Sequence, residues 1–282
     1  MFSALVSALS SAGGLIIDKI ILAKRGVPLK VFIPVVFVFL FVLTLVFTPF
    51  YGYIHWQQAL QPSGLFLLIL MAIIAMAWNV LVCQSLQRES LHQHEVIIMT
   101  GPIVTIVLAA IFFQSEFNLT VFVLAVIASL AMLIARAEPR HFKFDKMSYN
   151  LFLAVVLMSV ENIIIRELLH AYSPVALYAV RTLILAIFFG IYYRPSSKEM
   201  AKSPLLLIGL SAAIGVISMV TKFYAFESLG VIYTTLISTL MPIVVFLGSW
   251  EILHERIRPR VVVASIIILA CVVVATVLTS QG

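Results

Sequence analysis

Glu161 interrupts the apolar stretch LMSVENIIIREL (157–168), and Arg181 interrupts VALYAVRTLIL (175–185). An ionised side chain surrounded by hydrocarbon is expensive, so each is a functional-site hypothesis by default. On a helix Ser159, Asn162 and Arg166 share a stripe with Glu161 beside it, and Tyr178, Arg181 and Thr182 share a face. Glu161 and Arg181 can pair, either to neutralise two charges and fix packing or to present a polar wall to a solute. A carboxyl near the middle of a span can also carry a proton, which makes Glu161 the leading candidate for proton coupling. MVTKFYAFESL (219–229) adds Lys222 and Tyr224, where the lysine either lines a cavity or snorkels to an interface. Asn79, Cys83 and Gln87 recur at i, i+4 and i+8; Asn79 suits cavity lining and Cys83 a helix contact. Residue types therefore nominate Asn79, Glu161, Asn162, Arg181, Lys222 and Tyr224 as solute-binding. Their mixed charge favours a zwitterionic or anionic metabolite over a bulky apolar cation.

Other polar groups carry less. HQHE (92–95) invites a zinc reading, but side chains at i and i+2 on a helix do not face each other, so no metal is expected there. The same residues suit a hydrated helix start, where His94 or Glu95 can join proton coupling, because histidine titrates near neutral pH. Ser7, Ser11, Gly14 and Asp18 form a small stripe suited to close helix packing, with Asp18 and Lys19 as interfacial anchors. Asn118-Leu119-Thr120 matches a glycosylation sequon lying against a span, where chance explains it better than use. Cys83 and Cys271 have neither metal nor disulfide-framework spacing. No nucleophile elbow, phosphate-cradling glycine loop or paired catalytic carboxylates are present, so neither an enzyme nor a cofactor is expected.

The elements that must position these groups follow from composition. The 282 residues are 63% hydrophobic and 11% charged, with a mean hydropathy of +1.15. Water-soluble domains are about half apolar and about a quarter charged, so the solvent here is lipid. A spanning helix needs about 20 apolar residues. Such runs fall near 3–23, 31–53, 64–86, 94–113, 119–136, 149–168, 174–193, 204–226, 231–250 and 260–279. The runs are continuous rather than alternating, which indicates helices and not a barrel. No basic residue precedes the first run, so a cleavable leader is not expected. The longest connection, RAEPRHFKFDKMS (136–148), divides the chain into five spans and five, with no room for a soluble domain.

The two halves repeat. GPIVTIVLAAIFFQSEFNLT (101–120) and MPIVVFLGSWEILHERIRP (241–259) share Pro-Ile-Val, at Pro102 and Pro242, and both close on acids. With those prolines aligned, CQSLQRESL (83–91) lies against FYAFESLGV (223–231), with Ser85 opposite Ala225 and Ser90 opposite Gly230. An odd number of spans per half inverts the second copy, as in many secondary transporters whose site lies between the repeats. The expected fold is thus an all-α polytopic membrane protein, ten transmembrane helices arranged as two inverted five-helix repeats. Residues 1–136 form the first, 137–148 a basic connection and 149–282 the second.

FYAFESLGVIYTTLISTLMPIVVFLGSWEILHERI (223–257) resembles the last-repeat signature of the drug/metabolite transporter superfamily, EamA type. Tyr224-Ala225, the helix-breaking Pro242 and the span-end Glu255 fill that pattern. In the first half Pro102 matches, Ser85 replaces the alanine, and Glu116 falls one place late. The resemblance implies a secondary transporter working by alternating access, in efflux or exchange, without a cofactor. Small-molecule solute and membrane lipid are the expected partners, nucleic acid is not, and a homodimer is left open. A lipid-acting intramembrane enzyme centred on His92, His94 and Glu95, or a non-transporting scaffold, are the rival readings. Of the 18 Lys and Arg, all but Lys19, Arg166, Arg181 and Lys222 lie in or beside odd-numbered connections. The positive-inside rule puts those in the cytoplasm and both termini outside, in the cell (plasma or inner) membrane. Ten-span members of the family are usually described with both termini inside.

Overall fold

The computed structural model describes residues 1–88, 97–136, 146–196, 200, 203–241, 243 and 259–280. Among them every regular element is helical, apart from an isolated antiparallel bridge between Ile54 and Tyr172. The helices are α1 (Phe2–Lys19), α2 (Leu29–Tyr51), α3 (Pro62–Arg88), α4 (Gly101–Phe112), α5 (Leu119–Arg136), α6 (Lys146–Leu168), α7 (Pro174–Tyr193), α8 (Leu205–Ser238) and α9 (Pro259–Ser280). A π-helical turn, Ile20–Lys24, extends α1, and a single helical turn, Trp56–Ala59, precedes α3.

Five stretches are long and apolar enough to cross a membrane: Phe2–Lys24, Leu29–Tyr51, Pro62–Gln87, Pro174–Tyr193 and Leu205–Ser238. Shorter apolar helices run over Gly101–Phe112, Leu119–Ala135 and Val262–Leu278. Several boundaries differ from those expected. The eighth and ninth runs are one element, α8, broken only at Gly230, whose φ of 76° and ψ of 172° belong to a region that glycine alone occupies readily. Helix α6 starts at Lys146, inside the expected connection, because nothing in Lys-Met-Ser opposes helix. The fourth run is interrupted by a turn at Met99-Thr100 ahead of Pro102, which stands in the first turn of α4 where its missing N–H costs nothing. Pro242, Glu255, His92, His94 and Glu95 lie outside the described residues, as does most of the connection 137–148. Glu116 closes a short 3-10 turn, Gln114–Glu116.

Four helix pairs dominate the packing: α1 with α8, α2 with α7, α3 with α6, and α5 with α9. Small side chains make the first possible. Ala4, Ser7, Ala8 and Ala12 are buried along α1, and a β-carbon on Gly14 would stand 3.7 Å from Ile214 Cγ2. Ser11 Oγ and Ser218 Oγ are 2.5 Å apart across this seam. Between α2 and α7 the contact is aromatic, with Phe37 and Phe189 stacked at 5.5 Å. The outward faces are apolar instead of hydrated, with Phe2, Ile134, Tyr192 and Leu206 all more than two-thirds exposed, as lipid contact requires.

At one end the connection after α2 is tied to the connection before α7. Tyr53 N–H donates to Ser173 Oγ (3.0 Å), Ser173 N–H donates to Tyr53 O (3.0 Å), and His55 N–H donates to Ala171 O (2.8 Å). Ser173 Oγ also accepts from Ala176 N–H and so caps α7.

Candidate functional site

A cavity of about 160 Å³ lies between α4, α5, α6 and α8. Pro102 and Thr105 reach it from α4, Ser129 from α5, Ser159 and Asn162 from α6, and Lys222, Thr235 and Ser238 from α8, with Thr239 just beyond. Ile98, Met99, Val155, Met158 and Met241 supply its apolar wall. Lys222 and Thr235 are 13 residues apart, which in a straight helix is about 20 Å. The break at Gly230 lets both line one small cavity.

Its one described cation is Lys222. The Nζ donates to Asn162 Oδ1 (3.0 Å) and stands 5.3 Å from the centre of the Phe226 ring. Among the described residues no carboxylate is within ion-pair distance of it. The hydroxyls have a common orientation. Ser159 donates to Val155 O, Ser129 to Ala125 O, Ser238 to Thr234 O, Thr239 to Leu236 O, and Thr105 to Ser159 Oγ. A hydroxyl whose proton is already committed offers only its lone pairs, so this wall presents acceptors.

Glu161 and Arg181 do not line the cavity, although both lie within electrostatic reach of Lys222. Both are 2% exposed and face each other behind the cavity, Arg181 Nε donating to Glu161 Oε1 (2.7 Å) and Nη2 reaching Oε2 (3.4 Å). Trp78 Nε1 donates to Glu161 Oε2 at 2.5 Å, and the Arg181 guanidinium lies 5.8 Å from the Trp78 ring centre. The carboxylate thus has donors on both oxygens and the cation an aromatic face.

The six nominated residues therefore separate into four places. Asn162 and Lys222 meet at the cavity. Glu161 and Arg181 form the buried pair with Trp78, which sequence reasoning passed over; an indole N–H inside a span was its only signal. Asn79 turns its amide to Ala75 O of its own helix (2.8 Å), and Tyr224 lies near Tyr51, Tyr53 and Glu227. Thr105, Ser129, Thr235, Ser238 and Thr239 were also missed, although the hydroxyl-rich run TTLIST (234–239) ahead of Pro242 was a legible hint.

The profile of the EamA-like transporter family matches residues 1–136 and 146–277. The chain belongs to the EamA-like transporter family. As an EamA-like protein it is an integral membrane protein of the drug/metabolite transporter type. Among solved structures, one described only as "Crystal structure of protein" is similar, with a TM-score of 0.73 at 14% identity, over 99% of this chain and 96% of that one. At that identity the likeness speaks for the EamA-like fold alone. No curated protein matches the sequence at a significant level.

Proposed function

We propose that this EamA-like chain is a secondary active transporter that moves a small carboxylate-bearing metabolite, zwitterionic before simply anionic, by alternating access. The observation that carries the reading is Lys222, an ammonium on a small cavity with an amide oxygen and a ring for partners. An ammonium has three donors, and Asn162 uses one, which leaves directions free for a solute carboxylate. The acceptor-presenting hydroxyls opposite suit the amino or hydroxyl group of the same solute. Glu161 does not compete, because Arg181 and Trp78 already hold it.

The transport half of the reading rests on ten spans in two inverted repeats. Exchanging the halves pairs α1 with α6, α2 with α7, α3 with the first part of α8, and α5 with α9. Under that exchange the α1–α8 contact becomes the α6–α3 contact, while α2–α7 and α5–α9 map onto themselves. Two such halves can exchange conformations about a site between them, exposing it to each side in turn. The basic connections orient the odd-numbered ends towards the cytoplasm.

Binding to the detergent-purified protein tests the site, with alanine as zwitterionic probe, pyruvate as anion and putrescine as cation. A probe at about a hundred times its dissociation constant raises stability by about 2.7 kcal/mol. Alanine or pyruvate stabilises the wild type, and Lys222→Met weakens that binding roughly 10- to 100-fold while the protein still folds. Stabilisation by putrescine alone, or binding untouched by Lys222→Met, sinks the proposal.

A further inference from the structure

The seam between α1 and α8 holds a carboxyl that the cavity does not use. Asp18, on the last turn of α1, accepts a hydrogen bond from Ser211 Oγ of α8. It is half-buried within the membrane-spanning stretch Phe2–Lys24. Besides α8 and the π turn, α1 packs against α3. Ser211 faces the carboxyl from α8, and the Cys83 thiol is within electrostatic reach on α3. The charged residues of its own helix and turn point elsewhere: Lys19 Nζ donates to Leu86 O (2.8 Å), and Lys24 is exposed. Among the described residues no cation stands within ion-pair distance of Asp18.

The contrast with Glu161 is informative, because the two acids occupy interfaces that exchange under the repeat. Glu161 sits where α6 meets α3, neutralised by an arginine and an indole; Asp18 sits where α1 meets α8, with one hydroxyl. An unpaired carboxylate in a membrane interior is costly, and protonation removes the cost. The serine accommodates both states, donating to the carboxylate or accepting from the carboxylic acid. Among the described residues the hydroxyls of Ser11 and Ser218 meet in the same seam, and the helix passes into a π turn after Lys19, an irregularity frequent at functional sites.

We infer that Asp18 is a proton-binding site built into the interface between the two halves, and that its protonation accompanies the movement of α1 against α8. The carboxylate takes one proton from water when the seam is wet and returns it as the seam reopens; no other bond forms or breaks. The inference rests on the alternating-access reading, but its test needs no solute.

The sequence has two aspartates, Asp18 and Asp145, so full-length protein labelled with carboxyl-¹³C aspartate in phosphatidylcholine liposomes gives few bands to assign. Infrared titration from about pH 4, the ordinary aspartate value, to about pH 9 should show a labelled carboxylic-acid band that grows as pH falls. The component of that band that forms above about pH 5 is absent in Asp18→Asn and retained in Asp145→Asn, because an aspartate of ordinary value adds its own band only towards pH 4. Should Asp18→Asn fail to fold, Ser211→Ala displaces the midpoint. Movement is read from spin labels at Phe2→Cys and Glu227→Cys, both exposed, with the native cysteines replaced by serine. Their distance distribution changes between the ends of the titration, and Asp18→Asn removes the change. No band sensitive to residue 18 and a midpoint unmoved by Ser211→Ala overturn the proton site; a distance distribution indifferent to pH overturns the movement.

Discussion

Lys222 and Arg181 are both cations inside apolar helices, yet their surroundings assign them different work. Arg181 is bound on the Glu161 side and stacked over Trp78, so its charge is consumed within the protein. Removing one member of such a pair strands the other in low dielectric. Arg181→Met should therefore destabilise the protein by about 3–5 kcal/mol, whereas the double variant Glu161→Met with Arg181→Met should recover most of the loss. Unfolding in mixed detergent micelles measures both, and a double variant no better than the single would show that charge pairing is not what holds this contact. Trp78→Phe keeps an aromatic ring but withdraws the donor from Glu161 Oε2, at a cost of about 1.5–3 kcal/mol for a hydrogen bond to a charged group, before any loss of packing. The same unfolding assay reads that loss.

Among the elements, α8 is the one whose conformation the site depends on. Gly230 permits a φ of 76° with a ψ of 172°, and the segments on either side then share one cavity. A β-carbon there meets its own backbone, so Gly230→Ala should cost about 1–3 kcal/mol and weaken whatever binding the cavity has. Stability unchanged in Gly230→Ala would mean that the break is not a backbone requirement. Helix α7 depends on its start in a similar way. Ser173 Oγ receives two backbone N–H groups, from Ala176 of its own helix and Tyr53 of the other half, so Ser173→Ala should cost about 1–2 kcal/mol, at the upper end of an ordinary cap.

At the scale of the whole molecule, the strap between residues 53–55 and 171–173 joins the two halves at one end. If the halves rock against each other, that end must part in every cycle. A disulfide across the isolated bridge, Ile54→Cys with Tyr172→Cys in a background lacking Cys83 and Cys271, should stop flux of alanine or pyruvate in proteoliposomes. A reductant should restore it. Flux through the oxidised protein at the rate of the reduced form would locate the moving end elsewhere.

Composition and run length by themselves determined that the solvent is lipid and that the elements are helices. Those properties depend on how much apolar surface a segment carries and on its length, and both are sums over local residues. Helix periodicity also made a Glu161–Arg181 contact available, since each stands among apolar residues well inside its run. Asn162 and Lys222 were both nominated for a cavity and meet at one, but which other polar residues join them was not legible. Lys222 and Asn162 are 60 positions apart, and Thr235 joins them only because one glycine bends α8. Asp18 read as an interfacial anchor until α8 brought Ser211 against it, with no cation among the described residues at ion-pair distance. Side chains from different helices meet through packing between distant segments, and spacing along one helix holds no record of that. Tertiary structure therefore decided which charges are matched within the protein and which have only neutral partners among the described residues.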